Sequence, residues 1–508
     1  MDLSRRKMLS LGAITGLAGC NALGGSNDGN SVAGDAGSSD AVAQQDGQYF
    51  DEDGALTAPV NNETVATDSV SPNVGAGFEL VAYRDGETAY VVDGLTREVL
   101  YSGDDIGTIV NQVQEDFPRG VHLHLTDLFE YSENIVISTP MKLTGERAVT
   151  NFSKQGADAI AVDPVGLKFT GSGVAVAVYN GEQGVRGVHV EDLFVHAESG
   201  TVAFRLFGET AGSTYSPFAD SIFHNIVTEG GSEAGIELVG SIFNCTFGDL
   251  RAFGAGGHGI WLNVGEGGGF PGLSTFSLLR SKFCDGDGVR IDGIGLSVVD
   301  RIYTNFAKGR GVYLGMEGTD TVFHRIMGEV NEGADVEVDE LLGGRIDRIY
   351  GRGGEPVPPS IDYQGPAVRL SMYDGSIGDV LAQAGDLVVD GLQAGSEIES
   401  LELQNGAELD IAANSVFDSE IHQIRTEGDS KPTFNEATLT DDGRGQVRFN
   451  FDTRFTEPPT LSFGRRGGGI EDVSYAKTSA DGQFYAADIE LAETGGTVDV
   501  TAEMSGKL

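Results

Sequence analysis

Two short stretches carry side chains whose types and spacing could do chemistry. Residues 254–262 read GAGGHGIWL, a Gly-His-Gly followed at once by the chain's single Trp. Residues 284–293 read CDGDGVRIDG and place Asp285, Asp287, Arg290 and Asp292 close together. A histidine titrates near neutral pH and can move a proton. Two carboxyls can cleave a glycosidic bond when one of them is held protonated. Alternatively, carboxylates gather Ca2+ while an Arg abstracts the proton α to a uronate carboxyl. The candidate catalytic residues are therefore His258, Asp287, Arg290 and Asp292. Asp285 and Asp287 are the candidate Ca2+ ligands, and no other cofactor is indicated. A structural reading competes at each position, because Asp between glycines is usually turn chemistry. His258 can likewise be a turn residue of one repeat. The remaining histidines show no metal-ligand spacing.

These stretches sit inside a loose repeat. Its unit is small-Gly-[Ile/Val]-x-[Leu/Ile/Val], a turn, a short apolar strand, and a further Gly- or Asp-rich turn. The anchor apolar residues are Val176, Phe204, Ile236, Ile260, Val289, Val312, Val336, Val368, Leu387 and Leu409. Flanking strands recur as SIFHNIV (221–227), SIFNCTF (241–247), STFSLLR (274–280), SVVDRIY (297–303) and TVFHRIM (321–327). Short alternating strands with Gly, Asp and Asn turns, and 75 glycines, argue β rather than α. A period near two dozen residues suits a parallel solenoid whose coils stack at ~4.8 Å. No leucine-rich-repeat string and no propeller punctuation recurs. If the anchors point inward, each following residue points outward, and neighbouring coils stack these into a column. The column runs Ala177, Arg205, Glu237, Trp261, Arg290, Tyr313, Glu337, Arg369. Aromatic faces suit sugar rings and Arg suits carboxylates or sulfates. Trp261, Tyr313, Arg205, Glu237 and Arg369 are the candidate substrate-binding residues for an extended anionic polysaccharide. The competing reading is an ordinary solvated sheet face.

With this repeat, the chain resembles the pectate-lyase-like superfamily over roughly residues 100–425. The amphipathic stretch Asp105–Phe117, with Ile106, Ile109, Val110 and Val113 at helical spacing, resembles that superfamily's N-terminal cap. The resemblance implies an all-β fold: a right-handed parallel β-helix (β-solenoid) with an N-terminal cap helix. A small C-terminal β-sandwich follows from the changed periodicity after about residue 430. Polygalacturonases share the fold, and Gly257-His258-Gly259 matches one of their motifs. Arg290-Ile291-Asp292 puts Asp where their pattern has Lys. Their Asn-x-Asp and paired aspartates have no counterpart, since the only Asp-Asp pairs are Asp104-Asp105 and Asp441-Asp442. The superfamily includes lyases, hydrolases and non-enzymatic adhesins, as monomers or homotrimers, so the activity stays open.

The chain has 508 residues, with 77 acidic against 33 basic ones and a formal net charge of -44. The acids are spread throughout, which suits a high-salt milieu or a cationic partner and excludes nucleic acid. Ser4-Arg5-Arg6-Lys7-Met8-Leu9 and an apolar stretch ending Leu17-Ala18-Gly19-Cys20 resemble a twin-arginine export signal with a lipobox. Cys20 would then be lipidated, tethering the chain to the outer face of the cytoplasmic membrane as its only membrane contact. Residues 21–72 are rich in Gly, Ser, Asp and Ala and read as a flexible acidic spacer. Cys245 and Cys284 fall at different repeat positions, favouring free buried thiols over a disulfide. The expected organisation is signal 1–20, linker 21–72, β-hairpin region 73–104, β-helix with cap 105–428 and sandwich 429–508. The function expected is binding of a surface or environmental polysaccharide, with cleavage by a lyase or hydrolase route left open. A non-enzymatic adhesin or spike-like module is the alternative.

Overall fold

The computed structural model describes residues 79–145, 165–179, 185–208, 218–265, 267–353, 363–393 and 395–411, and the strands between Val416 and Glu503. Arg5, Arg6, Cys20, the 21–72 segment and the Asp441-Asp442 pair lie outside the described residues.

The middle of the chain is a parallel β-helix. One 12-stranded sheet, here the anchor sheet, runs from Ile135–Ile137 to the final coil at Leu409–Ile411 and Val416–Phe417. The other large sheet has 20 strands and lines the second side of the coils. The ten anchors pair in one unbroken file, from Val176 against Phe204 through to Leu387 against Leu409. All but Leu409 are buried at 1% exposure or less. That burial fixes the register, because a one-residue slip would turn every anchor outward. The uneven sequence spacing of the anchors is taken up between strands, as between Asn263 and Thr275 or between Arg352 and Val368. The second sheet contributes its own ladder, in which Phe247 stacks on Phe223 and Phe276 at centroid distances of 5.4 and 4.5 Å.

Each coil turns its corners on single left-handed residues. One file of them comprises Asp220, Asn244, Leu273, Leu296, Asp320 and Asp374, entering the second sheet. A second file, leaving it, comprises Phe283, Phe306, Val330, Ala384 and Asn405. Asn and Asp take this conformation readily, whereas Leu, Phe and Val store strain there. Phe283 and Phe306 offset part of it by stacking at 5.0 Å.

The cap helix spans Ile106–Asp116 and buries Ile106, Ile109, Val110 and Val113 against the first coil. Asp105 caps it, accepting from Thr108 N–H, and also accepts from Ser132 and Glu133 N–H. Burial alone would raise the Asp105 carboxyl, but these donors outweigh it and hold the pKa below the usual range. Upstream, Glu79–Asp85 and Thr88–Asp93 pair antiparallel around Gly86, and Glu79–Asp85 also runs parallel to His122–Leu125. The C-terminal region forms two three-stranded antiparallel sheets, Thr433–Thr440 with Thr497–Glu503 and Thr460–Gly464, and Gln446–Phe455 with Phe484–Leu491 and Ile470–Lys477. Cys245 and Cys284 are both free and buried, and burial pushes their thiols up to about 12 and about 11. Among the described residues no helix is long and apolar enough to cross a membrane.

One buried group works against stability. Asp335 is 0% exposed, and its Oδ1 accepts from Asn331, through its N–H and Nδ2, at 2.9 and 2.7 Å. Burial raises its carboxyl well above the ordinary range. A carboxyl raised in the folded state stabilises fully below its unfolded pKa, and that contribution is lost as pH rises through the folded pKa. Asp335→Asn should therefore stabilise the fold near pH 7 by at least about 1 kcal/mol, seen as a higher thermal midpoint, with the gain vanishing below about pH 4. A pH series of melts on both proteins measures it; a variant less stable at pH 7 contradicts it.

Candidate functional site

The outward column of the anchor sheet is continuous. Ala177, Arg205, Glu237, Trp261, Arg290, Tyr313, Glu337 and Arg369 stand opposite one another on successive coils. At its centre four residues from three coils alternate in type. The Arg290 guanidinium carbon lies 5.7 Å from the Trp261 ring centroid and 5.3 Å from that of Tyr313. Arg310, from the turn before the Tyr313 strand, lies 3.6 Å from the same Tyr313 ring. Cations over aromatic faces are attracted by the ring quadrupole, so the four planes hold one another in place.

Carboxylates lock the stack from its edges. Trp261 Nε1–H donates to Asp292 at 2.7 Å, and Arg290 Nε donates to the same carboxylate at 2.9 Å. Asp287 is 5% exposed and receives Arg310 Nε and Nη2 at 3.1 and 2.9 Å, with the Arg310 backbone N–H at 2.9 Å. Arg310 Nη1 reaches Glu337 at 3.0 Å, and Tyr313 donates its hydroxyl to Asp339 at 3.0 Å. Burial would raise Asp287, but the Arg310 fork prevails and holds it below the usual carboxylate range. Burial likewise acts to lower Arg310, and Asp287 with Glu337 more than reverses this.

His258 opens the strand His258–Asn263, and is thus a strand residue rather than a turn residue. The Asp287 backbone N–H donates to its Nδ1 at 3.1 Å, which assigns the proton of the neutral ring to Nε2. Burial, the largest influence, lowers its pKa, and the nearby Asp287 only partly opposes this. The imidazole is neutral at pH 7, edge-on to Trp261 at 5.1 Å. His258, Asp287, Arg290 and Asp292 thus fall into one cluster with Trp261 and Tyr313.

The other candidates are placed differently. Glu237 is 3% exposed and lies beneath the surface, held by Arg205 at 2.6 Å and Asn263 Nδ2 at 3.1 Å. Arg369 stands beyond Glu337 and reaches Asp390 at 3.4 Å. On the Tyr313 side of Asp292 the ladder bulges between Ile291 and Gly293, so Gly293 stands opposite Glu317. Asp285 pairs with Lys308 at 2.5 Å on the surface, whereas Asp287 is taken by Arg310. Among the described residues no group of three or more His, Cys, Asp or Glu converges as metal ligands. Asp285 and Asp287 therefore fit a Ca2+ ion poorly, each having a basic partner already.

The arrangement presents a rigid aromatic and guanidinium surface. For hydrolysis it lacks one element: Asp287, the buried carboxyl beside His258, is held ionised rather than protonated. The Arg310 clamp was only half visible in the sequence. Gly309-Arg310-Gly311 sits one repeat after Gly286-Asp287-Gly288, and that shared offset is the signal that pairs them.

No protein-family model and no curated protein sequence matches this chain. Solved structures match at low identity. A variant catalytic domain of GH87 alpha-1,3-glucanase in complex with nigerose is 10% identical, with a TM-score of 0.35, over 64% of this chain and 66% of that one. This chain therefore spans just under two thirds of that domain. The tailspike protein gp49 from Pseudomonas phage LKA1 is 12% identical, with a TM-score of 0.37, over 78% of this chain and 92% of that one. The enzymatically active domain of Bacteriophage CBA120 tailspike protein 2 is 10% identical, with a TM-score of 0.35, over 77% and 66%.

Proposed function

We propose that this protein is a polysaccharide-recognition β-helix that seats an extended, anionic glycan on the outer face of its anchor sheet. The observation that carries this reading is the in-register alternation Trp261, Arg290, Tyr313, with Arg310 over Tyr313. Aromatic planes offer stacking surface for sugar rings, and the guanidinium groups offer donors to carboxylate or sulfate. The stack is held before any ligand arrives, so little conformational entropy is lost on binding.

Recognition fits the cluster better than cleavage. Its carboxylates are engaged by Arg310, Arg290 and Trp261, and the neutral His258 has its Nδ1 committed to the Asp287 backbone. The export signal at Arg5-Arg6 and the lipobox at Cys20 support an extracellular location, with the lipid on Cys20 as tether and the 21–72 segment as spacer. Partition of the exported protein into detergent tests the tether.

Incubating the mature protein with uronic-acid polymers in molar salt, with and without Ca2+, tests the function. The expected result is saturable binding with neither unsaturated ends nor new reducing ends. Unsaturated ends would assign a lyase, and reducing ends without them a hydrolase. Absence of binding across a broad glycan panel would sink the proposal.

A further inference from the structure

The second sheet carries a different feature. The sequence Arg-Ile-Tyr or Arg-Ile-Met recurs at 301–303, 325–327 and 348–350, once on each of three successive coils. Arg301 stands directly opposite Arg325, and the constant offset of the next pair of strands puts Arg348 in the same file. Two residues along each strand, Tyr303, Met327 and Tyr350 form a parallel file. Adjacent strands lie ~4.8 Å apart, so like charges in one file repel and cost stability. In a chain of net charge -44, carboxylates to neutralise them are plentiful. Yet Arg301 and Arg325 are exposed and make no ion pair among the described residues. The acids beside them are engaged elsewhere: Asp347 takes His324 at 2.6 Å and Arg345 at 2.7 Å, and His324 also faces Asp300 at 3.9 Å. Only Arg348 is paired, with Asp379 at 2.8 Å.

A cavity of about 400 Å3 opens on this face, lined by Arg325, Arg348, Met327, Tyr350 and Leu381, with Asp379 and Glu402 at its far end. At the other end of the file the Arg280 guanidinium lies 5.1 Å from the Tyr303 ring centroid. We propose that this face is a second site, separate from the anchor-sheet stack, that binds an anionic polysaccharide running parallel to the helix axis. The guanidinium file takes the carboxylate or sulfate groups, and Tyr303, Met327 and Tyr350 take the apolar faces of the rings. The coil rise is close to the length of one pyranose along an extended chain, so acidic groups can meet successive Arg residues in register. The file is one residue wide, has Asp300 and Asp347 beside it in sequence, and ends at Asp379, which stands opposite Arg348. That width suits a single thin chain and repels a broad anionic surface such as a membrane or a nucleic-acid duplex.

The site is tested with Arg301→Ala/Arg325→Ala, since neither side chain holds another residue in place. Titration calorimetry of the exported protein with polygalacturonate, dextran sulfate and neutral dextran provides the readout. The wild type should bind at least one of the two acidic polymers and not dextran. The double variant should bind that polymer at least tenfold more weakly, with an unchanged or slightly raised thermal midpoint. Trp261→Ala should leave this component of binding intact. Equal affinity of wild type and double variant, or no binding of either acidic polymer, overturns the proposal. A loss with Trp261→Ala alone would place all binding on the anchor sheet, which retains the function proposed above and removes the second site.

Discussion

Arg310→Ala is expected to destabilise the β-helix by about 3 kcal/mol, because it strips a buried carboxylate of its hydrogen-bonded counter-charge and leaves only Arg290 Nη1, at 3.7 Å. Arg310 makes two side-chain hydrogen bonds to Asp287, a third to Glu337, and covers the Tyr313 ring. Asp287 is 5% exposed with Arg310 in place, so its carboxylate depends on the guanidinium rather than on bulk solvent. Arg310→Lys keeps a charge but loses the planar fork and should fall between wild type and Ala. In Asp287→Asn/Arg310→Ala the uncompensated charge is gone, so part of the loss should return, and the cycle reads the coupling directly. The effect should also depend on pH. Asp287 has its folded pKa depressed, so its contribution is present above its unfolded pKa, near ~3.9, and is lost as pH falls through the folded value. Melts of wild type and Arg310→Ala should therefore differ most at pH 6–8 and converge in strong acid. A variant whose melting temperature matches wild type at pH 7 contradicts the clamp.

The coil register was legible in the sequence because it follows from a period-two rule applied to burial. Once Val176, Phe204 and Ile236 are taken as inward, Ala177, Arg205 and Glu237 must be outward, and the file continues to Arg369. What alternation cannot supply is depth. Glu237 occupies an outward position and is nonetheless 3% exposed, because Arg205 and Asn263 close over it from the neighbouring coils. Side-chain contacts between successive coils were equally hidden. Trp261 to Asp292 spans 31 residues and Arg310 to Asp287 spans 23, with intervening segments of irregular length. The bulge at Ile291 and Gly293 shifts the ladder toward the Tyr313 strand, where a simple offset would place Gly315 opposite Asp292. The second-sheet Arg file was written plainly as a recurring Arg-Ile-Tyr/Met, but it becomes a feature only when register stacks its members.

Trp261→Ala should weaken glycan binding by about 2 kcal/mol, roughly a 30-fold rise in Kd, if the anchor-sheet stack is the binding surface. The indole is half-buried and fixed on three sides: Asp292 accepts its Nε1–H, His258 meets its edge, and Arg290 lies over the ring. A side chain held this way offers stacking area without losing rotamer freedom on binding, which is the usual character of a dominant contact. Truncation also frees Asp292 and Arg290 to pair only with each other, drawing the guanidinium from its place between Trp261 and Tyr313. Trp261→Phe separates the two contributions. It keeps a ring for stacking and removes the donor to Asp292, so a small loss in Phe and a large one in Ala would assign the energy to the aromatic face. Similar losses in both would assign it to the positioning of Asp292 and Arg290. Because the chain has one Trp, its emission should change on adding a ligand that occupies this face and stay constant for a ligand confined to the second sheet. Unchanged affinity in Trp261→Ala, with wild-type emission insensitive to saturating glycan, would remove the stack from the binding surface.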